Sequence, residues 1–232
     1  MNDPKTKIVA TIGPASSSVS VLRELMRAGM DVARLNFSHG SYDFYAEVIA
    51  TIRELNAELG ISTAILADLQ GPKLRVGVMQ NGSIDVPDGS ELIITTEEMV
   101  GVPGKVSTVY KQFPQDVKPG EMVLLDDGKL RMQVLSTDGK TEVKIKVLSG
   151  GKLMDKKGVN LPNTKVSLPC LTDKDKEDLD FALSQDVDWV GLSFVRSARD
   201  IIELKHMIRA QDKHARVVAK IEKPEALLEI DD

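Results

Sequence analysis

The sequence predicts an α/β protein in which a separate all-β domain interrupts a series of strand–helix units. Up to residue 70 and again after residue 169, short β-branched runs alternate with stretches whose apolar residues recur at helical spacing. Between these parts the helical spacing disappears, and glycine-containing turns separate short apolar stretches. We therefore expect a first βα part at 1–70, an inserted β domain at 71–169 and a second βα part at 170–232.

The first part has the order β-α-β-α-β. Strands are predicted at 7–12, 32–37 and 63–69, where β-branched residues are frequent. The first helix follows the three serines at 16–18, which are candidate N-caps, and ends before Gly29. The second carries an apolar stripe from Tyr45 to Leu59 and ends at Gly60. This alternation indicates parallel strands joined by right-handed crossovers.

The inserted domain contains several pairs of turn residues. These pairs are Asn81-Gly82, Asp88-Gly89, Asp127-Gly128, Asp138-Gly139 and Gly150-Gly151. Asn-Gly and Asp-Gly suit the positive φ angles of tight hairpins. We interpret the domain as an antiparallel β-barrel that forms a lid, with its two connections at Pro72 and Pro169.

The second βα part predicts two more strands, at 189–195 and 217–221. Helix starts are indicated by Thr172 with Asp175 and by Ser197 with Asp200, which have the spacing of capping pairs. Five parallel strands do not close into a barrel. A doubly wound sheet and an incomplete eight-stranded βα barrel both fit this count. Because no final helix is completed after the fifth strand before the chain stops at Asp232, we expect a fragment.

Composition excludes several classes of protein. The chain has 232 residues, 42% hydrophobic residues and a net charge of −5, which is typical of a folded protein without a general attraction to nucleic acid or anionic membranes. Cys170 is the single cysteine, so a disulfide framework and a cysteine-based zinc site are excluded. No run of 18 apolar residues is present. We expect a cytoplasmic protein with no membrane or nucleic-acid partner.

Polar residues concentrate at the carboxyl ends of the predicted parallel strands, where βα barrels hold their active sites. They are Arg34, Asn36 and Ser38 on the second strand, Asp68 on the third, Ser193 and Arg196 on the fourth, and Lys220 and Glu222 on the fifth. Arg34 and Lys220, with Arg75 as a candidate third member, form an anion site. Carboxylates such as Asp68 and Glu222 suit a hard cation such as Mg²⁺. This combination favours phosphoryl or enolate chemistry.

Five motifs carry a family resemblance along the chain. They are KIVATIGPAS at 7–16, ARLNFSHG at 33–40, DLQGPKLR at 68–75, KKGVNLP at 156–162 and KIE at 220–222. As a set they resemble pyruvate kinase. The resemblance implies a (β/α)₈ TIM barrel, of which this chain holds about five of eight strands, with an inserted β-barrel lid. It also implies phosphoryl transfer from phosphoenolpyruvate to ADP, giving pyruvate and ATP in glycolysis.

The resemblance also implies roles for individual residues. Lys220 is the catalytic residue beside the transferring phosphoryl group, and Arg34 binds the substrate phosphate. Glu222 is a ligand of Mg²⁺ or Mn²⁺. The implied nucleotide-binding residues are Asn36, His39, Arg75 and Lys157, although His39 is equally compatible with a structural role.

A monovalent-cation site is implied at Asn36, Ser38, Asp68 and the Leu69 carbonyl. Many potassium-dependent members carry Thr and Glu where this chain has Leu69 and Lys73. The Lys73 ammonium could stand in place of K⁺, so we predict that K⁺ is weakly required or dispensable.

Two other functions stay open. The chain on its own could be a non-catalytic fragment, because the family's second metal-binding aspartate lies beyond Asp232. It could also be another βα barrel that handles phosphoenolpyruvate or pyruvate, such as a metal-dependent lyase or aldolase, although the lid and the 156–160 motif argue against this. Complete members of the family are homo-oligomers, usually tetramers.

Overall fold

A computed structural model describes residues 5–232; the first four residues of the predicted 1–70 segment lie outside the described range. The strands are β1 (Ile8–Ile12), β2 (Met30–Asn36), β3 (Ala64–Asp68), β4 (Ser83–Val86), β5 (Glu91–Thr95), β6 (Lys105–Ser107), β7 (Met122–Leu125), β8 (Leu130–Thr137), β9 (Glu142–Ser149), β10 (Gly151–Met154), β11 (Val159–Asn160), β12 (Trp189–Leu192) and β13 (Arg216–Ala219). The helices are α1 (Val19–Arg27), α2 (Tyr42–Leu59), α3 (Phe113–Asp116), α4 (Asp173–Ser184) and α5 (Ala198–Ala210), with 3₁₀ turns at Gln80–Gly82 and Pro224–Glu229.

The chain divides into two compact units. Unit 1 comprises the residues up to Pro72 together with Cys170–Asp232, and unit 2 comprises Lys73–Pro169. Each unit has its own cluster of buried apolar side chains. Within residues 5–232, none of the helices is both long enough and apolar enough to traverse a bilayer.

Unit 1 is built on a five-stranded parallel sheet with the order β1-β2-β3-β12-β13. This arrangement confirms the predicted α/β class and the five parallel strands. The helix boundaries follow from local chemistry. Ser18 caps the start of α1, Gly60 ends α2 with a left-handed φ of 65°, and α4 and α5 both begin with a capping box.

Two strand predictions in unit 1 run two or three residues past the carboxyl end that the structure shows. The fourth strand ends at Leu192 instead of residue 195, because Phe194 has a left-handed φ of 56° that a strand cannot accommodate. The fifth strand covers Arg216–Ala219 instead of 217–221. The polar groups predicted on these strands, from Ser193 and Lys220 onward, therefore lie in the loops just after them.

Unit 2 contains a six-stranded sheet with the order β11-β7-β8-β9-β5-β6 and a two-stranded sheet of β4 and β10. Its pairs are antiparallel except β5 with β6, which is parallel, so the purely antiparallel prediction is wrong for this pair. The segment 74–77 joins the edges of the larger sheet. Val76 donates a backbone hydrogen bond to the Lys157 carbonyl, and Gly77 donates one to the Ser107 carbonyl.

Of the four Asn-Gly and Asp-Gly pairs, for which tight hairpins are predicted, two join antiparallel neighbours and two do not. Asp127-Gly128 joins β7 to β8, and Asp138-Gly139 joins β8 to β9, which are antiparallel neighbours. Asp88-Gly89 and Gly150-Gly151 instead connect strands of different sheets, and Asn81-Gly82 lies in a 3₁₀ turn before β4. A turn pair fixes the local backbone, whereas the partner of the following strand depends on the core it packs against.

Candidate active site

Polar side chains gather at the carboxyl ends of four neighbouring strands of unit 1. The parallel register aligns Asp68 at the end of β3 with Asn36 on one side and Gly191 on the other. Leu192 at the end of β12 pairs with Ala219 at the end of β13. Residues that follow these strand ends therefore come together although they are far apart in sequence.

Asp68 is the centre of the cluster, with a side chain that is only 3% exposed. Its Oδ2 accepts a hydrogen bond from Arg34 Nε at 2.8 Å, and its Oδ1 lies 3.1 Å from Lys220 Nζ. The Oδ1 contact is an ion pair without hydrogen-bond geometry. Arg34 is further oriented by a bond of 2.7 Å from Nη1 to Thr11 Oγ1 on β1. The buried carboxylate thus holds two cations in fixed positions.

Lys220 connects the remaining members. Its Nζ donates to Ser193 Oγ at 2.8 Å and lies 3.5 Å from Glu222 Oε1. Glu222 Oε2 in turn accepts a hydrogen bond of 2.9 Å from the backbone N–H of Phe194. Arg34, Asp68, Lys220 and Glu222 therefore form one continuous chain of contacts.

The charges in this chain balance, but their exposure differs. Arg34 and Lys220 side chains are each 30% exposed and Glu222 is 37% exposed, whereas Asp68 is almost completely buried. Two cationic side chains and one carboxylate of the cluster are therefore accessible to solvent. Such a surface can bind an anion through the cations and place a divalent cation at the carboxylate.

Asn36, Ser38 and His39 lie at and just beyond the end of β2. Asn36 Oδ1 accepts the Ser38 backbone N–H at 3.2 Å, and the His39 side chain is exposed. The Tyr45 hydroxyl donates to the backbone carbonyls of Asn36 and His39 and so fixes this turn. Burial of the Tyr45 ring raises the pKa of its hydroxyl to about 12.

The predicted monovalent-cation ligands are already engaged in other contacts. The Leu69 carbonyl accepts the Ser193 hydroxyl at 2.6 Å, and Asp68 contacts the side chains of Arg34 and Lys220. A further cation at Asp68 would meet two positive charges, which is electrostatically unfavourable. Lys73 is exposed and belongs to unit 2.

Arg75 and Lys157 also belong to unit 2. Arg75 Nη1 donates to the Lys156 carbonyl at 3.0 Å, and Lys157 Nζ forms an ion pair of 2.8 Å with Asp126 Oδ1. No sequence pattern predicts the Lys157–Asp126 pair. The partners lie on different turns, after β7 and before β11, and no spacing rule connects them.

A divalent metal would find an incomplete set of ligands in the described part of the chain. Across residues 5–232, no three His, Cys, Asp or Glu side chains are grouped so that they could hold a metal ion. Glu222 is the only carboxylate of the cluster with substantial exposure. Lys223, the residue after Glu222, is buried, and this burial lowers the pKa of its ammonium group. The negative charge of Glu225 acts in the opposite direction and raises that pKa. The residues present thus supply one ligand and do not make a metal site by themselves.

Two contributors to the cluster were missed or left without a role by the sequence analysis. The sequence pattern marks Ser193 only as a polar residue at a strand end, and it places Thr11 within the first strand without a role. The Phe194 N–H could not have been found, because a backbone donor leaves no mark on residue type. Cys170, buried beside the same turn, has its pKa raised to about 12 by burial, so it is a structural thiol.

The opposite end of the sheet carries a depression of about 810 Å³. Two ion pairs lie in it: Arg53 pairs with Asp188, and Lys213 pairs with Asp186. The Arg216 guanidinium lies 5.4 Å from the centre of the Trp189 ring. The balanced charges at this end contrast with the two exposed cations at the carboxyl ends.

Comparison with known proteins points to one family. The model of the pyruvate kinase barrel domain matches residues 3–232. The chain is 46% identical over 230 residues to pyruvate kinase of Geobacillus stearothermophilus, covering 98% of this chain and 39% of that protein. It is 45% identical over 225 residues to the Staphylococcus saprophyticus enzyme (96% and 38%) and 43% identical over 229 residues to the Bacillus licheniformis enzyme (98% and 39%). The chain spans about two fifths of the length of these relatives.

Proposed function

The chain belongs to the pyruvate kinase family, and from that premise we propose that it forms the N-terminal part of an enzyme that transfers the phosphoryl group of phosphoenolpyruvate to ADP. The products are pyruvate and ATP. The observation that carries the proposal is the chain of contacts from Arg34 through Asp68 and Lys220 to Glu222.

The two exposed cations have the properties that the reaction requires. In the proposal Arg34 binds the phosphate of phosphoenolpyruvate, and Lys220 faces the phosphoryl group during transfer. Positive charge held in place before the reaction stabilises the charge that develops on the phosphoryl oxygens. Asp68 fixes both cations without competing for the substrate, because it is buried beneath them.

The remaining parts of the reaction are assigned on the family resemblance. Unit 1 is proposed as five strands of a (β/α)₈ barrel and unit 2 as the lid that excludes water during transfer. Asn36, His39, Arg75 and Lys157 are proposed to contact the nucleotide. Glu222 is proposed as one ligand of a divalent metal, which would polarise phosphate and enolate oxygens when bound. Residues 5–232 offer no group of three such ligands, so Glu222 alone does not hold the metal.

We further propose that the enzyme requires K⁺ weakly or not at all. The proposal rests on Lys73 in place of the family's glutamate and on the two cations already held by Asp68. The test compares activity in K⁺ and Na⁺ salts at constant ionic strength, using a form of the protein that turns over. A tenfold or larger stimulation by K⁺ would contradict the proposal.

The second candidate, a fragment that does not turn over alone, is favoured by the single exposed carboxylate of the cluster and the absence of a three-ligand metal group in residues 5–232. Under this view the chain retains the anion-binding half of the site. It would bind phosphoenolpyruvate and release no pyruvate.

The deciding experiment uses the purified 232-residue chain. Pyruvate release is measured with phosphoenolpyruvate, ADP and Mg²⁺, and phosphoenolpyruvate binding is measured by calorimetry. We expect binding without turnover by this chain, and turnover by a longer chain if the reading frame continues. Turnover near that of a complete enzyme would refute the fragment interpretation.

Lys220→Met should abolish phosphoenolpyruvate binding, whereas Lys213→Met should not. Lys213 is a matched control because it is an ion-paired lysine of the same unit with similar exposure, 33% against 30% for Lys220. Equal binding by the chain and by Lys220→Met would overturn the proposed function.

A further inference from the structure

Ser193 occupies a buried position between Lys220 and the backbone of β3. Ser193 is 2% exposed and directly follows Leu192, the last residue of β12. Its hydroxyl donates to the Leu69 carbonyl at 2.6 Å and accepts from Lys220 Nζ at 2.8 Å. It is the one uncharged side chain that touches Lys220 in this network of contacts.

The direction of these hydrogen bonds is fixed by chemistry. A serine hydroxyl has one proton, and a carbonyl oxygen can only accept, so the proton must point to Leu69. The lone pairs that remain can only accept, and a lysine ammonium is a donor. The backbone of β3 therefore orients the Ser193 hydroxyl, and the hydroxyl orients the Lys220 ammonium.

The turn that carries Ser193 is itself held by several neighbours. Phe194 adopts a left-handed φ of 56° and donates its N–H to Glu222. The Cys170 thiol donates to the carbonyls of Ser193 and Phe194 at 3.2 and 3.4 Å. A Cβ atom added at Gly71 would lie 3.0 Å from the Phe194 ring and 3.1 Å from Ser193 Cβ. Gly71 and Cys170, which both belong to unit 1, thus lie against this turn.

We propose that Ser193 is a positioning residue for Lys220, and that the turn 193–194 holds Lys220 and Glu222 at a fixed separation. Without the hydroxyl, Lys220 would keep only its carboxylate neighbours, Asp68 and Glu222, and its ammonium would shift toward them. That shift would withdraw the cation from a bound anion. The consequence for catalysis rests on the proposed function, but the positioning of the ammonium can be measured without substrate.

The experiment records the ¹⁵Nζ–H₃⁺ signals of lysine side chains by NMR in the substrate-free 232-residue chain. An ammonium held by hydrogen bonds exchanges its protons slowly and gives a sharp signal. The Lys220 signal is assigned by its absence in Lys220→Met. We expect Ser193→Ala to raise the proton exchange rate of this signal at least tenfold, and Ser193→Thr, which keeps the hydroxyl, to retain a slowly exchanging signal.

The matched control is Ser184→Ala. Ser184 also donates to a backbone carbonyl, that of Phe181, at 2.6 Å, but it lies at the end of α4 and has no contact with a lysine among its hydrogen bonds in the structure. This control should leave the Lys220 signal unchanged. Ser193→Cys, which keeps the side-chain volume but weakens the acceptor, replaces Ser193→Ala if the alanine variant does not give a native amide spectrum.

An unchanged Lys220 signal in a natively folded Ser193→Ala or Ser193→Cys protein would overturn the proposal. Gly71→Ala provides a second test, because its methyl group displaces the turn while the Ser193 hydroxyl remains. It should also accelerate exchange at Lys220. If these changes occur but phosphoenolpyruvate does not bind, the positioning role stands and the proposed function fails, so the two results are separable.

Discussion

Each unit contains an aspartate that contacts two cationic side chains, but the two clusters are built differently. In unit 1, Asp68 contacts Arg34 and Lys220, which lie 34 and 152 residues away in sequence. In unit 2, Asp126 contacts Lys129 only three residues away at 3.0 Å, and Lys157 at 2.8 Å. Asp126 lies on a hairpin turn with a left-handed φ of 49°.

The sheet topology brings the members of the Asp68 cluster together, whereas a local turn brings Asp126 close to Lys129. The Asp68 cluster exists only when the four parallel strands β2, β3, β12 and β13 are in register, so it reports the integrity of most of the sheet. At Asp126, the hydrogen bonds from Lys157 and Lys129 lower the pKa of the carboxyl group. Lys129 is 70% exposed, so much of its charge is screened by water.

The largest effect is expected from removing a core side chain of one unit. Phe113 in unit 2 is 1% exposed, and Phe113→Ala should cost about 3–5 kcal/mol through lost burial and the cavity left behind. Trp189, the only tryptophan, lies in unit 1 and reports its unfolding by fluorescence. In urea, we expect unit 2 to unfold earlier while the Trp189 transition stays in place.

The matched control is Ile52→Ala, which truncates a fully buried side chain of α2 in unit 1. This substitution should move the Trp189 transition to lower urea concentration. Hydrogen exchange of β8 and β9 amides follows unit 2 in the same samples. Equal displacement of the Trp189 transition by both variants would mean that the two units unfold together, and the contrast between them would disappear.

The next effect concerns the two aspartates. Asp68→Asn removes a buried counter-charge from Arg34 and Lys220 and should cost about 2–3 kcal/mol, less than for fully buried pairs because both cations keep contact with water. Asp126→Asn should cost less, since its partners are nearer in sequence and Lys129 is well exposed. Urea unfolding of both variants gives the comparison. A greater loss of unfolding free energy for Asp126→Asn than for Asp68→Asn would contradict this prediction.

The smallest effect is a pH dependence confined to unit 2. Backbone N–H donors, foremost that of Glu142 and then that of Lys140, lower the pKa of Asp138 at the β8–β9 turn to about 2. A carboxyl group with a lowered folded-state pKa stabilises the fold above its unfolded pKa of about 4 and loses this contribution as the pH falls toward the folded value. The contribution should therefore vanish between about pH 4 and pH 2.

Asp138→Asn isolates this group, because asparagine cannot titrate. Thermal midpoints of the chain and the variant should differ at pH 5 and converge as the pH approaches 2. A difference that is constant across this range would show that the Asp138 charge does not contribute.

Much of unit 1 could be predicted from sequence because its signals are local. Ser18, Gly60 and the capping pairs at Thr172 and Ser197 act on the neighbouring backbone, and they mark helix ends that the structure contains. The alternation of Arg34 and Asn36 with buried Leu35 and Phe37 follows from the period of a strand. These rules need no knowledge of distant residues.

The features that could not be predicted depend on contacts between distant residues, and such contacts leave no local pattern in the sequence. The left-handed Phe194 shortens a strand and aims an N–H at Glu222, although phenylalanine seldom adopts this conformation. In unit 2 the glycine pairs predicted turns correctly but not the partners of the strands that follow, because pairing is decided by the core. The parallel β5–β6 pair and the Lys157–Asp126 ion pair belong to this class.

The pairing of β3 with β12 has a consequence for the order in which the newly made chain can fold. These adjacent strands are in register at Leu66 and Trp189, and the whole of unit 2 is translated between them. Segment 74–77 finds its last partner at residues 157–159, so the inserted unit can finish its ring of hydrogen bonds before β12 leaves the ribosome. Until β12 is available, β3 has one unpaired edge, and such an edge can pair with other strands.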